Sequence, residues 1–254
     1  MKCNLILFSP TGGTEKAARI LCSALSSATR TIDLTDIRFA PGNFSTDSDE
    51  IAVIALPSYG GRVPALAAER LAGIRANGMP CVLLCVYGNR AYEDTLAEME
   101  DLAKQCGFAV IAAVAAVAEH SIMHQYAAGR PDAADEKNLK DIGAKILEKL
   151  SCGQTQAAFT IPGNRPYKTA GGAGLVPKAS SACVSCGICA EKCPAGAISR
   201  ENLKSADAHK CISCMRCIVK CPHAARKVNG AMVSVASLAI KKACSVRKEC
   251  ELYL

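Results

Sequence analysis

The sequence predicts an α/β domain with a doubly wound parallel sheet, followed by a small α+β domain that is rich in cysteine. Apolar, β-branched segments alternate with helical segments over residues 1–150, which is typical of parallel strands joined by helices. Residues 151–182 lose this periodicity and are rich in Gly, Pro, Ser and Ala, as in a linker or an extended wrap. Residues 183–254 contain a cysteine cassette written twice and a C-terminal tail. They form the predicted second domain.

The first domain is expected to contain five strands in the spatial order 2-1-3-4-5. The strands are predicted at residues 3–8, 30–34, 51–56, 81–87 and 108–117. Helices are predicted at residues 14–27, 64–74 and 92–106, and a last helix begins after the capping residue Asp132 and ends near residue 150. In such a sheet the ends of strands one, three and four lie side by side.

The sequence features that bear on location point to a reducing compartment. The first residues lack the apolar region and cleavage site of a signal peptide, and no apolar run approaches the length of a membrane span. We therefore expect a cytoplasmic chain without a membrane span, in which clustered thiols more often bind metal than form disulfides. Five cysteines of the first domain are expected to be small core residues: Cys3, Cys22, Cys81, Cys85 and Cys106.

The two halves of the chain differ in charge. Residues 1–150 hold 15 Lys and Arg against 18 Asp and Glu, whereas residues 151–254 hold 15 against 5. No nucleic-acid-reading motif accompanies the basic half, so nucleic acid is not an expected partner. Eight thiolates and two cubane cores would bring the charge of the second half to about +6. That remainder could attract an acidic partner protein.

The cassettes CVSCGICAEKCP (183–194) and CISCMRCIVKCP (211–222) share one cysteine spacing. Three cysteines with two-residue gaps can bind three irons of one cluster, and the fourth, before Pro, binds the other cluster. This rule assigns Cys183, Cys186, Cys189 and Cys221 to one [4Fe–4S] cluster, and Cys211, Cys214, Cys217 and Cys193 to a second. Zinc is the alternative, but a four-cysteine zinc site would leave one cysteine of each cassette surplus.

Loops after strands one, three and four predict bound FMN. In the first loop, hydroxyls and free N–H groups at a helix N-terminus suit a terminal phosphate; its residues are Ser9, Thr11, Gly12, Gly13 and Thr14. The other two loops contribute Pro57, Ser58, Tyr59, Gly60 and Gly61, and then Tyr87, Gly88, Asn89, Arg90 and Tyr92. Tyr59 and Tyr92 are expected to flank a flat ring, although each tyrosine alone could be a surface residue of its loop.

On these motifs, residues 2–150 resemble the flavodoxins and residues 183–228 resemble the bacterial two-cluster ferredoxins. The whole chain looks like the flavodoxin–ferredoxin fusion proteins of anaerobic bacteria. The resemblance implies a flavodoxin-like fold, FMN, two [4Fe–4S] clusters and electron transfer between them. Many flavodoxins are strongly acidic, whereas residues 1–150 are nearly neutral, so the usual docking partners of flavodoxins are not implied.

An electron-transfer protein that links one-electron and two-electron carriers in anaerobic metabolism is the expected function, with unidentified redox proteins as partners. An FMN- and iron–sulfur-dependent oxidoreductase acting on a quinone or nitro compound is the alternative, although no catalytic acid–base residues are evident. A binding module with structural or regulatory clusters is a third possibility, and a head-to-tail homodimer is compatible with the sequence. His120 or Ser121, after strand five, could help to cover the flavin, while a metal pair of His120 and His124 lacks a third ligand.

Overall fold

The computed structural model describes residues 1–42, 50–152, 159–171 and 174–254. The strands are β1 Lys2–Leu7, β2 Thr29–Asp33, β3 Glu50–Pro57, β4 Pro80–Tyr87, β5 Ala109–Val117, β6 Lys178–Ala179, β7 Arg226–Lys227 and β8 Glu251–Tyr253. The helices are α1 Gly13–Leu25, α2 Ala65–Ala72, α3 Thr95–Gln105, α4 Ala133–Ser151, α5 Ile188–Glu191, α6 Arg216–Val219 and α7 Gly230–Cys244. None of the helices in these ranges is both long and apolar enough to cross a bilayer.

The main sheet has the strand order β2-β1-β3-β4-β5-β8. Its first five strands are parallel and follow the predicted order. The predicted five-stranded parallel sheet is confirmed, and a sixth strand is added at its edge: β8 pairs antiparallel with β5, where Ala113 faces Tyr253. The addition supplies β5 with hydrogen-bond partners along an edge that would otherwise be unpaired.

Helices cover both faces of the sheet, which explains the unbroken apolar runs in the central strands. Leu21 of α1 and Leu139 of α4 belong to the core on one face, and Leu71 of α2 and Leu96 of α3 belong to the core on the other. The expectation for the five cysteines of the first domain is confirmed, since all are buried. Asp132 also caps α4 as predicted, accepting from the backbone N–H groups that begin the helix.

Residues 159–171 run along the outside of α3. Asp94 accepts hydrogen bonds from the backbone N–H groups of Asn164 and Lys168, at 2.8 and 2.7 Å. Arg165 forms ion pairs with Glu100 and Asp101, both at 2.8 Å. This part of the segment between the cassettes and the α/β domain is therefore fixed against the first domain.

The cysteine-rich region repeats its backbone as well as its sequence, with an offset of 28 residues. Ser185 and its counterpart Ser213 both have positive φ angles, of 59° and 51°. The short helices α5 and α6 occupy equivalent positions. The N–H of Ala197 and that of Ala225 each donate to a cysteine Sγ atom at 3.3 Å. Both cassettes therefore form the same loop, with N–H groups directed at sulfur.

The C-terminal segment attaches this region to the edge of the sheet where the strands end. The Asn89 side chain, after β4, donates to the carbonyl oxygens of Cys244 and Val246, both at 2.9 Å. Arg247 pairs with Asp132 at the start of α4, at 2.7 Å. The helix α7 and the strand β8 thereby connect the cysteine-rich region to the α/β domain.

Candidate functional site

A cavity of about 410 Å³ lies at the edge of the sheet where β1, β3, β4 and β5 end. This volume lies within the range of small-molecule and cofactor sites. The strand-end loops line it with Pro10, Thr11, Gly13, Thr14, Pro57, Ser58, Tyr59, Gly60, Val86, Tyr87, Gly88, Arg90, Ala118, Glu119, His120, Ser121, Ile122 and Met123. The rest of the lining comes from Gly171, Ile212, Ser213, Ala236 and Ile240. We call this space the strand-end cavity.

The loop after β1 enters α1 through Gly12, whose φ of 96° favours glycine. Thr11 and Thr14 line the cavity beside it. The Ser9 hydroxyl accepts the N–H of Glu15, in the first turn of the helix, at 3.0 Å, and Ser9 is not among the residues that line the cavity. The N-terminus of α1 and two threonine hydroxyls are the groups that could bind a phosphate here.

The loop after β3 depends on two glycines with left-handed backbone conformations, with φ of 62° at Gly60 and 88° at Gly61. A Cβ at Gly60 would lie 2.8 Å from the carbonyl oxygen of Gly171, which also lines the cavity. A Cβ at Gly61 would overlap the Glu93 side chain. Of the two, only Gly60 lines the cavity. The residue before them, Tyr59, also lines it.

The loop after β4 contributes less to the cavity than expected. Gly88 and Arg90 line it, but the Asn89 side chain binds the C-terminal segment. The Tyr92 hydroxyl is hydrogen bonded to Glu251 and Tyr253, at 2.8 and 2.7 Å. The expected pair of flanking tyrosines is therefore not formed: Tyr59 lines the cavity, and β8 holds Tyr92 away from it.

His120, from the loop after β5, lines the cavity. Its Nδ1 accepts the N–H groups of Ile122 and Met123, at 3.2 and 3.3 Å. Burial lowers the pKa of His120, and the nearby His124 and Arg90 lower it further. The ring is therefore neutral near pH 7, with Nε2 carrying the hydrogen. His124 instead pairs with Glu119 at 2.6 Å and is exposed.

Eight cysteines surround two further cavities, four around each. One cavity is lined by the outer cysteines, as we call Cys183, Cys186, Cys189 and Cys221. The other is lined by the inner cysteines, Cys193, Cys211, Cys214 and Cys217. Both sets draw three cysteines from one cassette and one from the other. No group of three His, Cys, Asp or Glu side chains in the described ranges is arranged to hold a single metal ion.

The chemistry of these sites suits iron–sulfur clusters. Thiolates are the ligands of iron–sulfur clusters, and apolar residues such as Ile188 and Ile198 accompany the sulfurs. Burial raises the pKa of Cys214 to about 11 and that of Cys217 to about 12. Without metal these thiols hold their protons at pH 7, and bound iron would replace them.

Several lining residues were not among those predicted from sequence. The loop of residues 118–123 follows β5 and therefore starts at the same edge of the sheet, so topology alone could have indicated it. From this loop the sequence suggested only His120 or Ser121, and both line the cavity. Ile212, Ser213, Ala236 and Ile240 come from the cysteine-rich region and α7. No local pattern indicates that they meet the strand-end loops.

Residues 182–226 match the family described as a 4Fe-4S dicluster domain. A search of curated proteins found no match. Among solved structures, a Streptococcus pneumoniae TIGR4 flavodoxin is 19% identical, with a TM-score of 0.41, covering 59% of this chain and 99% of that chain. The rubredoxin oxygen:oxidoreductase of Desulfovibrio gigas is 17% identical, with a TM-score of 0.42, covering 62% of this chain and 37% of that chain.

These structural likenesses are too distant to indicate a function. The strand order 2-1-3-4-5 itself shows a flavodoxin-like fold. The chain therefore combines a flavodoxin-like α/β fold with a region, residues 182–226, that is similar to 4Fe-4S dicluster domains.

Proposed function

We propose that this chain is a cytoplasmic electron-transfer protein that holds FMN in the strand-end cavity and two [4Fe–4S] clusters between its eight cassette cysteines. The observation that carries the proposal is the wall shared by the two kinds of site. Ile212, which lies between two inner cysteines, lines both the strand-end cavity and the inner cysteine cavity. A flavin exchanges two electrons singly and each cluster exchanges one, so their combination links one-electron and two-electron carriers.

Different residues of the strand-end cavity suit different parts of FMN. Thr11, Thr14 and the N-terminus of α1 would hold the phosphate, and the apolar side chains of Ile212 and Ile240 would line the space for the ring. His120 would keep its Nε2–H available for a polar group of the flavin, since its Nδ1 already accepts two backbone N–H groups. In this arrangement the protein binds, orients and shields the cofactor from water.

The covering of the cavity favours internal transfer over direct reduction of a quinone or nitro compound. Ala236 and Ile240 of α7 line one side, and the loop of residues 118–123 lines another. These elements narrow the approach of a small acceptor to the cavity. Turnover of a quinone or nitro compound faster than that by free FMN would instead favour the oxidoreductase alternative.

Anaerobic reductive titration of the loaded protein, followed by visible absorption, tests the proposal. We expect about four electrons per chain, two for FMN and one for each cluster, with flavin and iron–sulfur bands both bleaching. A Cys186→Ala variant should lose one cluster and take up about three electrons. Uptake of only about two electrons by the wild type, without flavin bands, would show a ferredoxin-type protein with no flavin and would refute the proposal.

A further inference from the structure

The two cassettes have matching backbones but different surroundings. Val184, between the first two outer cysteines, is 61% exposed, and Cys186 is exposed. Their counterparts in the second cassette are Ile212, which packs against the core of the α/β domain, and Cys214, which is buried. One wall of the outer site, at Val184 and Cys186, therefore faces solvent, whereas the equivalent wall of the inner site packs against the α/β domain.

The inner cysteine cavity is separated from the strand-end cavity by one short stretch of chain. Ile212 lines both cavities, and Ser213 lines the strand-end cavity beside it. The cavity of the outer cysteines has no lining residue in common with the strand-end cavity. The inner site is therefore the nearer of the two to the strand-end cavity. Because electron-transfer rates fall steeply with distance, a cluster in the inner site would exchange electrons with the flavin faster than a cluster in the outer site.

Two arginines hold the loops that carry the inner cysteines against the α/β domain. Arg216, between inner cysteines, donates from Nη1 to the carbonyl oxygens of Ser9 and Pro10, at 3.3 and 3.2 Å. Arg70 of α2 donates to the carbonyl oxygen of Pro194, next to Cys193, at 2.8 Å. Hydrogen bonds that involve a charged donor are the stronger ones. They fix the inner site beside the loop that would bind the FMN phosphate.

We infer that the cluster held by the inner cysteines exchanges electrons directly with FMN through the Ile212 wall, and that the cluster held by the outer cysteines serves an external one-electron redox protein. This inference rests on the proposed function. Each passage moves one electron between FMN and the inner cluster and one between the inner and outer clusters. The external protein supplies or removes that electron. Two passages therefore account for the two electrons of FMN, and its protons exchange with solvent.

The repeat provides a matched pair of variants, Ile212→Gln and Val184→Gln, at equivalent positions of the two cassettes. FMN is titrated into the cluster-loaded, flavin-free full-length chain, and the dissociation constant is read from flavin fluorescence. Ile212→Gln should raise this constant about tenfold, because an apolar wall contact is lost. Val184→Gln should change it by less than about twofold. Equal effects of the two substitutions would overturn the inference, whereas a wild type that binds no FMN would overturn the proposed function instead.

Cluster proximity is measured separately with Cys186→Ala and Cys214→Ala, which remove one ligand from the outer and inner sites. Each protein is reduced with dithionite, and the EPR spectrum of its remaining cluster is recorded with and without FMN. We expect FMN to change the spectrum of Cys186→Ala, which keeps the inner cluster, and to leave that of Cys214→Ala unchanged. The reverse pattern would overturn the inference. If Cys214→Ala does not fold, the FMN dissociation constants of Ile212→Gln and Val184→Gln still test the inference.

Discussion

Replacing Gly88 with alanine should weaken FMN binding, because the new Cβ would occupy space that His120 fills. The Cβ would lie 2.7 Å from Cδ2 of His120 and 2.9 Å from its Cβ and Cγ. These separations are shorter than packed carbon atoms allow, so the imidazole must move. The movement would break the hydrogen bonds that its Nδ1 accepts from two backbone N–H groups, at 3.2 and 3.3 Å.

The size of the effect follows from the cost of overpacking, which is about 1–3 kcal/mol. If the cost falls on the FMN-bound state, the dissociation constant rises about 5-fold to 150-fold. Fluorescence titration of FMN into the cluster-loaded chain measures this dissociation constant. Gly230→Ala is the matched control, because a Cβ there has open space and the residue does not have a positive φ.

A double-mutant cycle separates this mechanism from general damage to the fold. His120→Gly removes the ring together with its Cβ, so Gly88→Ala should have little further effect on FMN affinity in that background. A dissociation constant of Gly88→Ala within twofold of the wild-type value would refute the contact between His120 and the flavin. The same conclusion would follow if the two substitutions were simply additive.

Three further predictions concern stability and pH. Gly143→Ala places a Cβ 2.5 Å from Cβ of Ala24 and should destabilise the packing of α4 on α1 by about 1–3 kcal/mol, as measured by urea unfolding. Asp135→Asn breaks a buried ion pair with Arg130 and should cost about 3–5 kcal/mol in the same assay. The pKa of His120 is lowered by burial, so its neutral form stabilises the fold above a pH of about 6.5. That stability should be lost as the pH falls below this value, and a thermal melting series should show a smaller loss for His120→Ala.

Most of the α/β domain could be predicted from sequence because its strands are buried on both faces. Such strands appear as unbroken apolar runs, as in β4 and β5, and they alternate with amphipathic helices. The strand β8 could not be predicted in the same way. Its three residues, Glu251–Tyr253, are too few to show a periodicity, and they pair with β5 only because α7 carries the chain back to that edge.

The candidate site likewise has a part that the sequence predicts and a part that it does not. Residues at the ends of the strands, such as Thr11 and Gly60, could be predicted because topology alone brings those loops together. Tyr92 was expected at the ring, but its position depends on hydrogen bonds to Glu251 and Tyr253, which are distant in sequence. Ile212 belongs to a cassette loop, and only tertiary packing reveals that it lines the strand-end cavity.

The two cassettes form the same loop, but a difference at one residue gives them different surroundings. Hydropathy does not separate the two sites, since Val184 and Ile212 are both apolar. Position 216 does: it is arginine in the second cassette, whereas its counterpart Ile188 is apolar. A guanidinium on a cluster loop needs hydrogen-bond acceptors, and the carbonyl oxygens of Ser9 and Pro10 supply them. This charged residue therefore anchors the second cassette to the loop after β1, whereas the first cassette has Val184, at 61% exposed, on the surface.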